Sequence, residues 1–192
     1  MRIRPRIALF ATIVVSGCAS VAPLNDAERA ELAAPPSAIT DRVALLLPKA
    51  VDFIEASDQQ IQTQGRALTP DEQALARAVG VAQPERVRVL ITDPFVAPQD
   101  PQFAIEARKL GLGASAEGAR TTGYAIQIKP SYASARWILA HELTHVGQYE
   151  RLGTMQFAHE YLTEVLLLGY ARAPLETAAQ ANEHLGNTRS RE

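Results

Sequence analysis

Cysteine is nearly absent from this chain, and so is any second long apolar run. One Cys in 192 residues, at position 18, excludes an internal disulfide. Beyond residue 15, no hydrophobic stretch reaches the ~20 residues that a membrane-spanning helix needs. No Lys/Arg run is interleaved with aromatic residues, and the formal charge is −2, so nothing favours nucleic acid. There is no internal repeat and no low-complexity tract. Glycines cluster between Gly111 and Gly123, but without the preceding strand and following helix that make a phosphate loop. What is left is an average composition, 47% hydrophobic and 21% charged, and a length that supports one domain with a real core.

The first eighteen residues read as an address rather than as part of the fold. Arg2, Arg4 and Arg6 precede a short apolar run, Ile7 to Val15, and then Ser16-Gly17-Cys18. That order of basic, apolar and small residues makes 1–17 an export signal. Without those three arginines, the 19 basic residues fall to 16 against 21 acidic ones. Val15-Ser16-Gly17-Cys18 resembles the lipobox of bacterial lipoproteins. The resemblance implies cleavage before Cys18, diacylglycerol on its thiol and an acyl chain such as palmitate on its new amine. More than one acyl chain gives lasting attachment to a membrane. Ser20, with no Asp there, resembles the sorting signal of outer-membrane lipoproteins. That implies a place in the bacterial cell envelope, lipid-anchored and facing the periplasm.

Residues 18–37 are rich in Ala and Pro and read as a tether; 38–186 form the expected domain, and 187–192 a frayed tail. The apolar spacing predicts a helix from Ala38 to about Gln64, bent or split at Pro48. Thr69-Pro70-Asp71-Glu72 opens a second helix, with Thr as cap and Pro in the first helical position, running to about Val79. Strands are expected over Arg86–Thr92 and Tyr124–Lys129, the latter at a sheet edge. Between them come a short helix at Gln102–Leu110 and a glycine-rich loop over 111–123. A further helix is broken at Gly153 and resumes from Thr154 to about Tyr170. The last spans Leu175–Leu185, after Pro174. The expected fold class is α+β, helix-rich with a small sheet.

One stretch carries chemistry: Trp137-Ile-Leu-Ala-His141-Glu142-Leu-Thr-His145-Val-Gly-Gln-Tyr149. Apolar residues recur through it at helical spacing. Residues four apart share one helix face, so His141 and His145 can direct both imidazoles at one metal ion. From the neighbouring position, the Glu142 carboxylate can reach a water at the metal's open coordination position and take its proton. A catalytic zinc also needs a third protein ligand. Downstream candidates are Glu150, Glu160, Glu164, Glu176 and Glu183, with His159 and His184.

His141-Glu-Leu-Thr-His145 followed by Tyr170-Ala-Arg-Ala-Pro174-Leu175-Glu176-Thr-Ala-Ala179 resembles the small gluzincin-type zinc metallopeptidases, over about residues 120–182. The resemblance implies a zincin-like domain in which an edge strand, 124–129 in this chain, lies over the His-Glu helix and pairs with extended substrate. It implies Glu176 as the third ligand, with Ala179 allowing close helix approach. Gln180 stands where a variant of the pattern has Asp, which leaves open the group that orients His141 or His145. Glu164 is the rival ligand. It lies 19 residues after His145, close to the separation in thermolysin-like enzymes, whereas Glu176 lies 31 after. The missing His-x-x-Gly-x-x-His continuation excludes a metzincin site.

The resulting expectation is a Zn2+-dependent peptidase acting on a peptide or protein, with Glu142 as general base and a membrane contact through Cys18. Tyr149, Tyr161, Tyr170 and His159 are the candidates for stabilising the oxyanion. The alternative is a non-catalytic, lipid-anchored envelope protein for binding or assembly on the same scaffold.

Overall fold

A computed structural model describes residues 22–114 and 116–187. The signal expected over 1–17, Cys18, Ser20 and residues 188–192 of the tail lie outside the described residues. In chain order the elements are α1 Asp26–Ala33, α2 Ser37–Gln64, β1 Arg66–Ala67, α3 Pro70–Ala78, β2 Arg88–Ile91, α4 Pro101–Lys109, β3 Ala119–Thr122, β4 Ala125–Ile128, α5 Arg136–Leu168 and α6 Pro174–Asn187. Short 3-10 turns lie at Pro84–Arg86, Pro130–Tyr132 and Tyr170–Arg172. The fold is α+β and helix-rich, with a small mixed sheet.

Local chemistry explains most helix ends. Thr69 Oγ1 accepts from Glu72 N while Glu72 accepts from Thr69 N, a reciprocal cap with Pro70 as first helical residue. Asn25 and Glu28 do the same at 2.9 Å in each direction. That cap opens α1 within the stretch 18–37 that reads as a tether, and α2 starts at Ser37. Leu24, Glu28 and Leu32, four residues apart, are half-buried along one side of α1. Pro48 neither splits nor ends α2. It sits on the exposed side, where water can take up the carbonyl that its ring leaves unbonded. Gly153, at φ 74° and ψ 161°, breaks α5 into two helical segments through a backbone conformation that a Cβ would strain.

The sheet order is β1-β2-β4-β3, with β2 and β4 parallel and both outer pairs antiparallel. Two expectations are corrected here. The strand over 124–129 is not an edge: β4 is interior, and all four of its residues are buried. Ile126 and Ile128 join Val87 and Val89 in a core against Ile138, Leu139, Leu143 and Val146 of α5 and Leu75 and Ala76 of α3. Gln127, the polar residue between Ile126 and Ile128, is fully buried and accepts from Val96 N at 2.8 Å. The edge strand is β3, inside the segment read as a glycine-rich loop. On the other face of the sheet, Ser57 of α2 meets Thr122 of β3. Further along α2, Val43, Leu46 and Ala50 pack on Phe103 and Ala107 of α4 and Leu162 of α5, and Ile54 packs with Tyr149, Phe157 and Leu175. Among the described residues no helix is long and apolar enough to cross a membrane.

α6 lies so close along α5 that a Cβ on Gly186 would stand 2.3 Å from Arg136 O and 2.7 Å from Trp137 Cα. Backbone cannot swing aside as a side chain can, so Gly186→Ala should overpack this contact. Against the ~1 kcal/mol that Ala gains over Gly in a helix, the overpacking cost is about 1–3 kcal/mol. The expected outcome is a net loss of up to about 2 kcal/mol, read as a lower denaturant midpoint with an unchanged slope.

Candidate metal centre

From Ile138 to Tyr149 every residue of α5 is buried, so this helix has no face turned to water. His141, Glu142 and His145 lie in that stretch at 7%, 5% and 6% exposure. Buried groups of this kind require partners, and neighbouring elements supply them. α6 brings Glu176, only 2% exposed, to the two imidazoles. His141 Nε2 is 3.2 Å from His145 Nε2 and 3.4 Å from Glu176 Oε2, and His145 Nε2 is 3.6 Å from Glu176 Oε1.

The outer partners of the imidazoles decide what faces inward. His141 Nδ1 lies 2.9 Å from the Glu183 carboxylate, which accepts its proton. His145 Nδ1 lies 2.8 Å from Gln148 Oε1. Gln148 Nε2 is already spent on Leu175 O at 2.9 Å, so its oxygen is the atom turned to His145. When neutral with the proton on Nδ1, each ring presents a lone pair from Nε2 to the centre. Glu176 Oε2 is buried there without a hydrogen bond, while Oε1 accepts from Tyr161 at 2.8 Å. Three acceptors therefore converge and a positive charge is what they lack. A tetrahedral ion with ligands at zinc-like distances of 2.0–2.1 Å sets neighbouring donors about 3.3 Å apart, close to the 3.2–3.6 Å seen here.

The same deficit appears in the titration of the site. Burial works against charge on His141, but the carboxylates of Glu176 and Glu183 outweigh it and raise its pKa to about 10. His145 is raised for the same reason, against burial and through Glu176. Burial alone would push Glu176 up; the two imidazoles hold it well below the usual carboxylate range. Glu142 goes the other way, raised chiefly by its burial. Thr121 of β3 donates to its Oε2 at 2.7 Å, so the sheet edge grips the carboxylate beside the centre.

Of the candidates for third ligand, Glu176 stands with the histidines and Glu164 does not. Glu164 Oε2 accepts from Leu175 N at 2.8 Å, at the start of α6. Burial raises its pKa to about 7. With Gln148 on Leu175 O and Glu164 on Leu175 N, the residue before Glu176 is held through both backbone groups. Glu150 accepts from Ala82 N and Gln83 N, Glu160 accepts from Gln156, and His159 and His184 are exposed. Glu183 belongs to the centre as the outer partner of His141 rather than as a ligand. Tyr161 and Tyr170 are both raised, first by burial and then by Glu176; Tyr170 is 40% exposed, and Glu142 and Glu183 act on it as well. Tyr149 stacks on Phe157 at 3.7 Å.

Sequence reasoning missed Thr121 and Gln148. Gln148 carried a signal, since it lies three residues after His145 on the same helix face. Thr121 had none, because its strand went unread. Comparison with known proteins returns no matching family model, no matching curated protein and no matching solved structure.

Two outcomes follow. Glu183→Ala should keep the fold and weaken metal binding about 10–100-fold, as loss of an orienting partner does; competition with a zinc-sensitive chelating dye measures it. Second, His141 without a metal keeps its proton up to about pH 10, and a ligand must be neutral. Metal uptake near pH 7 should therefore release protons, and affinity should rise with pH up to that value. Calorimetry in two buffers of different ionisation enthalpy counts the protons.

Proposed function

We propose that this chain is a zinc-dependent peptidase of the gluzincin type, held to a bacterial envelope by a lipid on Cys18. The carrying observation is the convergence of three ligand-type atoms, His141 Nε2, His145 Nε2 and Glu176 Oε2, at the spacing of donors around zinc. These residues hold the metal, which when bound supplies a Lewis acid that polarises a carbonyl and acidifies water. Glu142, adjacent to His141, takes the proton of the attacking water as the new carbon–oxygen bond forms. It returns that proton to the amine as the carbon–nitrogen bond breaks. A carboxylate raised by burial is suited to both halves of that exchange. Thr121 occupies one Glu142 oxygen and leaves the other for the transferred proton. Tyr170, partly exposed beside Glu176 and Glu142, is the best-placed donor for the developing oxyanion. Extended substrate pairs with β3, whose outer side meets no other described strand.

One observation favours the second reading, a non-catalytic binding or assembly protein of the envelope. Glu142 is only 5% exposed, which is tight for a base that must meet substrate. A single substitution separates the two. In a soluble chain beginning at Ala19, one zinc per chain is expected, lost in His145→Ala and Glu176→Ala but kept in Glu164→Ala. Glu142→Gln should retain the zinc and lose hydrolysis of a fluorogenic peptide mixture by at least about 10²-fold. Hydrolysis by wild type that persists undiminished in Glu142→Gln would remove Glu142 from the mechanism. Zinc binding with no hydrolysis in either would support the second reading.

A further inference from the structure

The amino-terminal segment does not leave the domain at an arbitrary point. Ala22 O accepts from Arg172 Nη1 at 3.4 Å, and Glu28 of α1 pairs with Arg172 Nη2 at 2.6 Å. Arg172 closes the turn Tyr170–Arg172 and lies four residues before Glu176. Tyr170, in the same turn, is 40% exposed, and Glu176, Glu142 and Glu183 act on its hydroxyl. The chain therefore departs beside the turn that flanks the metal site.

Distances decide what this means for an anchored protein. Cys18 precedes Ala22 by four residues, a reach of at most about 14 Å. A domain of this length is about 40 Å across. A tether shorter than the domain's radius cannot let the domain turn its anchored side away from the lipid. Were α1 undocked, the free chain would run the 19 residues from Cys18 to Ser37, with a reach of about 60 Å, and every orientation would be open. The contact of Arg172 with Glu28 and Ala22 is what shortens the leash. The exposed residues of α1 include Asp26, Arg29 and Glu31 and form no basic patch, so the lipid on Cys18, and not charge, supplies the attachment. The ring and hydroxyl of Tyr170 suit the boundary between lipid and water.

We infer that the metal site opens beside Tyr170, toward the bilayer surface, and that its substrates are polypeptide segments lying at the membrane, next to an anchor of their own. This rests on the lipid-anchored peptidase reading above. A soluble protein would have to enter the narrow space between domain and lipid. An extended segment beside a membrane anchor is already there.

The test uses the full chain, lipidated by the cell and reconstituted in phosphatidylethanolamine–phosphatidylglycerol vesicles containing a nitroxide-labelled lipid. With the thiol of Cys18 blocked by lipid, an introduced cysteine is the one free thiol, because the chain has no other. A fluorophore is placed at Ala171, beside Arg172, or at Gln64, at the far end of α2 and about 40 Å from its start; both are exposed. Severalfold stronger quenching at Ala171 is expected, and Arg172→Ala should shrink the difference. Equal quenching at the two positions, or stronger quenching at Gln64, overturns the orientation. Mass spectrometry of Cys18 on the same sample keeps the causes apart. A bare Cys18 removes the anchor and the orientation with it, whereas a lipidated chain with equal quenching removes the orientation alone. For the substrate class, one fluorogenic peptide is presented free and again with a palmitoyl tail in the vesicles. Severalfold faster cleavage of the tailed form is expected, and equal rates on a correctly oriented enzyme overturn the assignment.

Discussion

Because α5 is buried on every side from Ile138 to Tyr149, the polar groups of His141, Glu142, Thr144, His145 and Gln148 have no water to fall back on. Each must be satisfied from within the protein, and that demand organises the molecule. The sheet edge answers Glu142 through Thr121, α6 answers His141 and Thr144 through Glu183 and Asn182, and Gln148 answers His145 and then reaches Leu175. An unpartnered buried acceptor costs more than a made hydrogen bond returns. The arrangement is thus selected by what would otherwise be left bare. After all of those bonds are made, two ring nitrogens and one carboxylate oxygen still point at one another, and there the demand is for a cation.

Much of this was legible in the sequence. The His141–Glu142–His145 face, the capped start at Thr69 and the break at Gly153 follow from local rules of spacing, capping and backbone freedom, which tertiary packing did not override. The ligand choice was not local. Glu164 and Glu176 are both acids on downstream helices, and only the path between them tells which one turns inward. Glu164 is used up by Leu175 N, an amide at the start of α6 that no residue before it within the helix can satisfy.

The misreadings share a cause, namely polar residues that do not face water. Gln127 made β4 look half-solvated, yet it is fully buried and serves Val96. The threonines of β3 sit among glycines and show no apolar alternation, because both faces of that strand turn to polar partners, Glu142 at position 121 and Ser57 at position 122. In α1 the signal was present, a cap from Asn25 to Glu28, but alanine and proline around it dominated the composition. Composition describes segments, whereas a cap is set by two residues.

The grip on α6 at both ends has a consequence for how this chain can vary. Leu175 is pinned at the start of the helix by Glu164 and Gln148, and Gly186 is wedged against Arg136 and Trp137 near its end. A slip of one turn would carry Glu176 about 5.4 Å along the axis and break both holds at once. The helix is indexed, and it cannot absorb a length change by sliding. An insertion or deletion around Gly169–Ala173 would therefore be taken up by the turn itself, bulging or tightening at the surface, while Glu176 keeps its place. A length change there would shift Tyr170 and Arg172 and leave the centre behind them in register.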